Sequence, residues 1–212
     1  MATNQLVVGA QGPYNTGTPT AQGASAGPLG ETVVLESSGR YSEPTFRRRR
    51  FGGANQAAVA TTAAFATTYT GLVLTVPPSS LVNAYLDKVG ISAILAQTSP
   101  LAVGLMVGQS NTIFSGTTAN TAAGSDSLGS NVPPVAQLYN AATLPIAPTL
   151  RRILGSFGTG AVTVGQFTPA LFDQEGSIVI QPGGFVAIYT NVASVAASLL
   201  FSFDWEERAI TT

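Results

Sequence analysis

Leu101, Val103, Leu105 and Val107 alternate with Ala102, Gly104, Met106 and Gly108. That period of two predicts a β-strand with one face buried. Phe201, Phe203 and Trp205 repeat the pattern near the C-terminus, with Leu200, Ser202 and Asp204 on the other face. Gly71-Leu72-Val73-Leu74-Thr75-Val76 reads as a strand closed by Pro77-Pro78-Ser79-Ser80. Residues 82–97 carry apolar groups at both helical and strand spacings, but Gly90 and the β-branched residues favour strand. Further strands are predicted at 135–139, 151–157, 161–167, 177–180, 185–190 and 197–205. Gln181-Pro182-Gly183-Gly184 joins two of them as a tight turn, Pro presetting φ at the second position and Gly accepting positive φ at the third.

Many short strands without a convincing amphipathic helix predict an all-β chain, an antiparallel β-sandwich of jelly-roll type. The pattern starts near residue 56. Residues 1–30 are rich in Gly, Pro, Thr, Ala, Gln and Asn, a composition that cannot build a core alone. Only Val33, Val34 and Leu35 suggest a short strand there, within 31–37. The expected organisation is an extended N-terminal arm at 1–55 and a β-sandwich domain at 56–212. Residues 109–134 form a long polar stretch, read as a functional loop.

Charge changes this picture more than length does. Only 9% of residues are charged, against 45% apolar, and the net charge is −1. Ordinary globular chains carry roughly 25% charged residues. A neutral surface suits contact with another protein, because few ions must be desolvated. It offers no global field for nucleic acid or an acidic membrane. The chain has no Cys and no His, which removes thiolate chemistry, the commonest general base and the usual zinc ligand. The expectation is a protein that is not an enzyme and has no cofactor, no metal and no membrane span. No export signal is visible at the N-terminus, so synthesis in a host cytoplasm is expected.

Several segments together resemble a known type of protein. They are Tyr69-Thr70-Gly71-Leu72-Val73-Leu74 with Pro77, Leu86-Asp87-Lys88-Val89-Gly90, Asn140 to Pro148, Ile178 to Thr190, and the closing Phe201-Ser202-Phe203-Asp204-Trp205-Glu206-Glu207. In style and spacing, residues 60–208 resemble the β-sandwich virion proteins of tailed bacteriophages, which decorate or cement the head or build fibres. The resemblance implies a structural virion protein, a homotrimeric capsid decoration or cement protein on the capsid surface, with the major capsid protein or other virion proteins as partners. The alternative is a head or tail fibre component that binds a host-surface glycan through 109–134.

Arg47, Arg48, Arg49 and Arg50 form the most conspicuous local feature. One reading is an anchor to an acidic patch on a partner, with guanidinium forks on carboxylates. Another is a solvated basic turn, and a third is phosphate binding, which the net charge disfavours. Phe46 and Phe51 bracket the run, so the ends are expected to pack and the arginines to face outward. Asp204 and Glu206 share a strand face, as a glycosidase pair would, but an acidic strand end with an arginine partner has the same spacing. Asp173 and Glu175 have the chemistry for Ca²⁺ without the full loop pattern. Asp87-Lys88 reads as a surface pair, and Arg151-Arg152 as a surface or inter-subunit contact. Trp205, Phe201 and Phe203 read as core before they read as a sugar platform.

Overall fold

The computed structural model describes residues 41–129, 132–159 and 170–210. The predicted strands at 31–37 and 161–167, and most of the arm, lie outside the described residues. The chain divides into two compact units, Met1–Arg47 and Arg48–Thr212. In the first, the described part is a helix, α1 (Ser42–Phe46), in which the Arg47 guanidinium pairs with Glu43 one turn earlier. The remaining elements belong to the second unit.

Its strands run β1 (Arg50–Ala54), β2 (Thr68–Thr75), β3 (Val82–Ala93), β4 (Leu101–Gln109), β5 (Ser115–Ala119), β6 (Gly124–Ser125), β7 (Gln137–Thr143), β8 (Thr149–Phe157), β9 (Ala170–Ile180), β10 (Gly184–Thr190) and β11 (Leu199–Ala209). They build two antiparallel sheets, β6-β1-β11-β3-β9 and β5-β7-β2-β10-β4-β8, here called sheets I and II. With β5, β6 and β7 set aside as an excursion, eight strands remain. Numbered in chain order, they lie first-eighth-third-sixth in one sheet and second-seventh-fourth-fifth in the other. That interleaving is two Greek keys wrapped together, a jelly roll.

The sandwich begins before residue 56, because Arg50–Ala54 pair with β11 throughout, from Arg50 opposite Glu206 to Ala54 opposite Ser202. The 109–134 stretch is not one loop. Its residues 115–119 extend the edge of sheet II and 124–125 extend the edge of sheet I, so the excursion bridges the two sheets.

The main core lies between the sheets and holds Leu72, Leu74, Leu86, Leu105, Val186 and Ile188, with Phe201, Phe203 and Trp205 from β11. Trp205 stacks on Phe51 at 6.0 Å between centroids. Sheet II is also apolar on its outer face. There Tyr69, Val73, Met106, Phe185 and Ala187 form a second cluster, roofed by Phe114. This explains why β10 reads as a continuous apolar run while β11 alternates: β10 is covered on both faces, β11 on one.

Two glycines are required by close approach. The Tyr69 ring folds back so that its hydroxyl accepts from the Leu72 N–H (3.1 Å) and donates to the Ile188 carbonyl (3.0 Å). A Cβ on Gly71 (φ 138°) would sit 2.4 Å from that oxygen. Burial pushes the Tyr69 phenol above its usual range. In the predicted 181–184 turn, Gly183 has φ 80°, and Gly184 N–H bonds the Gln181 carbonyl at 2.7 Å.

Glu207 pins the sheets together. Its buried carboxylate accepts from the backbone N–H of Val135 (3.0 Å) and Ala136 (2.8 Å) and from the indole N–H of Trp205 (3.1 Å). Three donors would lose their partner in Glu207→Ala. At about 1–3 kcal/mol for each buried group left unpaired, the variant should lose at least ~3 kcal/mol of stability, read by urea unfolding. Glu207→Gln, which keeps one acceptor oxygen, should lose visibly less.

Candidate functional site

A cluster of charged side chains lies on the outer face of sheet I. Phe51 and Gly53 face the core, so Arg50 and Gly52 face outward. Arg50 is nevertheless only 8% exposed. Its guanidinium lies 3.5 Å from Asp87 on β3, 3.3 Å from Asp126 after β6, and 3.4 Å from Asp204 on β11. Gly52 leaves room for this: a Cβ there would meet an Asp204 oxygen at 3.0 Å and an Asp126 oxygen at 3.1 Å.

A bulge delivers Asp87. Asp204 pairs with Lys88 and Trp205 with Leu86, so the register steps over Asp87. Beside this cluster, Glu206 pairs with Arg208 (2.8 Å) and Arg49 (3.6 Å), and the Arg208 guanidinium lies 4.9 Å over the Tyr85 ring. The Glu206 contact raises the Arg208 pKa further above its usual value. Asp87, Asp126, Asp204 and Glu206 are thus matched by Arg49, Arg50, Lys88 and Arg208, and the patch is neutral.

Burial is the main cause that raises Asp204 above the ordinary aspartate range; Arg50 and Lys88 oppose the shift and Asp126 adds to it.

The four consecutive arginines therefore separate. Arg47 belongs to α1, Arg48 is exposed with φ 56°, Arg49 reaches Glu206, and Arg50 is buried. Arg50 does face outward from the sheet, but the exposure expected of it is corrected: strand pairing brings it against Asp87, Asp126 and Asp204, which cover it. The reading of Asp87 as a surface residue is corrected too, since it is 7% exposed. Asp204 and Glu206 do share the outer face, each with an arginine partner, but Glu206 is buried rather than at a solvated strand end. Trp205, Phe201 and Phe203 are core, at 0–2% exposure. Arg152 crosses between the sheet edges to Gln174 and to Ser177 (3.0 Å) on β9. The Asp173 carboxylate accepts the Glu175 N–H at 2.9 Å, closing a local turn. Among the described residues, no group of three or more carboxylates has the arrangement of a metal site.

Two larger concavities lie among the described residues. One, of about 340 Å³, opens between the sheet edges and is lined by Gln109, Thr149, Arg151, Ser177 and Gln181. The other, also about 340 Å³, is a shallow apolar groove on the outer face of sheet I, lined by Ala54, Gly90, Leu171, Leu200 and Ser202. Neither lining brings a nucleophile against a base. No helix among the described residues is long and apolar enough to cross a membrane. The chain matches no family model, no curated protein and no solved structure.

Sequence reasoning missed Asp87 and Asp126 as partners of Arg50. For Asp87 a signal was present, because the apolar alternation slips from Ala84 and Leu86 to Val89, Ile91 and Ala93 across Asp87-Lys88.

Arg50→Met should destabilise the sandwich by ~3–5 kcal/mol in chemical unfolding, since three carboxylates lose their buried counter-charge. Arg48→Ser should leave stability unchanged. For Asp204, the raised native pKa means that the fold binds its proton more readily than the unfolded chain does. Its contribution to stability is full below the unfolded value and is lost as pH rises through the native value. Asp204→Asn should flatten the fall in stability across that acidic window relative to wild type, measured by urea melts at stepped pH. Parallel curves would refute the assignment.

Proposed function

We propose that this chain is a structural, self-assembling jelly-roll protein of a virus particle, a homotrimeric decoration or cement protein that stabilises contacts between major capsid subunits. The observation that carries the reading is the disposition of charge. Asp87, Asp126, Asp204 and Glu206 with Arg49, Arg50, Lys88 and Arg208 form a neutral patch on sheet I, while the loops that join the strands carry almost no other charge. Such a surface recognises other protein by shape and apolar contact rather than by field. The jelly roll adds flat faces and loop-bearing ends, and repeated copies share stability through contact. The sequence resemblance to bacteriophage virion β-sandwiches supplies the particle. The fibre reading has less support, because 115–119 and 124–125 are built into the sheet edges rather than standing free as a receptor loop.

The mechanism in this reading is mechanical. Each copy buries apolar and amide surface over a junction between capsid subunits, and no bond is made or broken.

Light scattering of the purified protein should give the mass of three 21.6 kDa chains, and quantitative mass spectrometry of purified particles of the encoding virus should find hundreds of copies. Absence from those particles would sink the virion reading.

A further inference from the structure

We propose that one end of the sandwich, where β2, β4 and β11 finish and β3, β7 and β10 begin, is the surface through which copies of this chain associate; the inference rests on the self-assembling reading above. The register places these termini together. Thr75 lies opposite Phe185 and Gln137, Gln109 opposite Gly184, and Ala209 opposite Val82.

The segments that close this end are 48–49, which lead into β1, 76–81, 110–114, 126–129, 132–136, 181–183 and residue 210. Their charged residues are Arg48, Arg49 and Asp126; Arg49 is paired with Glu206 and Asp126 with Arg50, and the other segments carry none. Yet they carry the three most exposed large apolar side chains among the described residues. Leu128 is 95% exposed, Leu81 79% and Ile113 72%, with Val132, Val135 and Ile210 at 38–42%. These residues are linked. Ile210 N–H bonds the Leu81 carbonyl at 2.9 Å, and Val135 N–H bonds Glu207 on β11 at 3.0 Å. Ile113 lines a small cavity with Pro77 and Pro78.

Area, charge and stiffness select the occupant. The six residues expose on the order of 600 Å² together, close to the roughly 800 Å² per partner of a standard interface. The apolar loops themselves carry no basic side chain, and at the sheet I corner Arg49 and Arg208 are already held by Glu206, so these loops offer little to anionic lipid or to a charged protein. It fits an uncharged apolar surface, and every other copy of the chain presents one. Pro77, Pro78, Pro133 and Pro134 restrict the loops, so little freedom is lost on burial.

The rival route to self-association, backbone pairing at an open sheet edge, is obstructed at β8 and β9. On β9, residues 174–177 bulge out between Asp173 and Ile178, with Glu175 and Gly176 at positive φ. On β8, the register with β4 shifts twice. Bulged, charge-bearing edges are poor templates for a further strand.

The test is sedimentation and light scattering of the full chain at micromolar concentration, comparing wild type with Leu81→Asp and Leu128→Asp. Leu171→Asp, on β9 at the side of the sandwich, serves as control. Both target side chains are solvent-exposed, so thermal unfolding monitored by circular dichroism should stay at the wild-type temperature or show a dissociation-linked loss only. The expected result is that the end variants fall to the 21.6 kDa of one chain while Leu171→Asp keeps the wild-type mass. The inference is overturned if the end variants keep the wild-type mass, if only Leu171→Asp dissociates, or if wild type is itself monomeric. End variants that stay oligomeric but no longer bind purified particles would give the surface to a different protein and also overturn it. An oligomer that dissociates as expected but never occurs in particles leaves the inference standing and removes the virion reading instead.

Discussion

A guanidinium taken out of water must find its counter-charge inside the fold, and Arg50 finds it on three separate pieces of chain. Asp204 comes from the neighbouring strand, Asp87 from the strand beyond, and Asp126 from the excursion that bridges the sheets. Each supplier constrains local structure. β3 is bulged at Asp87, and Gly52 is left bare so that two carboxylates can lie over it. The connection after β6 is held down on β1, with Asp126 N–H also bonded to the Arg50 carbonyl at 3.0 Å. The arrangement specifies which strands are neighbours more than it adds stability. A buried ion cluster gains little over apolar packing, but it penalises any register that separates its members.

The same economy governs the other polar groups inside the molecule. Glu207 joins the end of β11 to the start of β7, and Tyr69 fastens β2 to β10 through backbone atoms. Asn120 bonds the Ala54 carbonyl and the Asn140 side chain, each at 2.9 Å, and so ties the excursion to β1 and β7. These contacts sit where hydrophobic packing cannot fix position, at strand ends and where the chain passes between sheets. Few as the charges are, Arg50, Asp87, Glu206 and Glu207 are spent inside the fold.

The alternation of apolar residues made most of the sandwich legible. β4 and β11 were readable because each buries one face, and the 181–184 turn because Pro-Gly chemistry permits few conformations. The excursion was not readable. All five residues of β5 are exposed and β6 is a two-residue strand, so no buried face imprints a pattern. β1 was hidden for another reason. Two of its five residues are glycine and its first is arginine, a composition that resembles the arm before it. Its strand character comes from pairing with β11 rather than from propensity, and tertiary context of that kind leaves little local trace.

The arginine run shows how far a charge pattern can mislead when the backbone changes beneath it. Four identical neighbours fall on a helix end, a left-handed residue, the approach to a strand and the strand itself. Solvent access follows the backbone, not the side-chain type. Arg49 and Arg50 then point into opposite-charge contacts, leaving Arg48 as the exposed remnant of what reads in sequence as a basic patch. A run of like charge is only a surface feature when one regular element carries it, and here none does. Recognition by this protein is therefore better sought where the backbone presents uncharged loops than where the sequence concentrates charge.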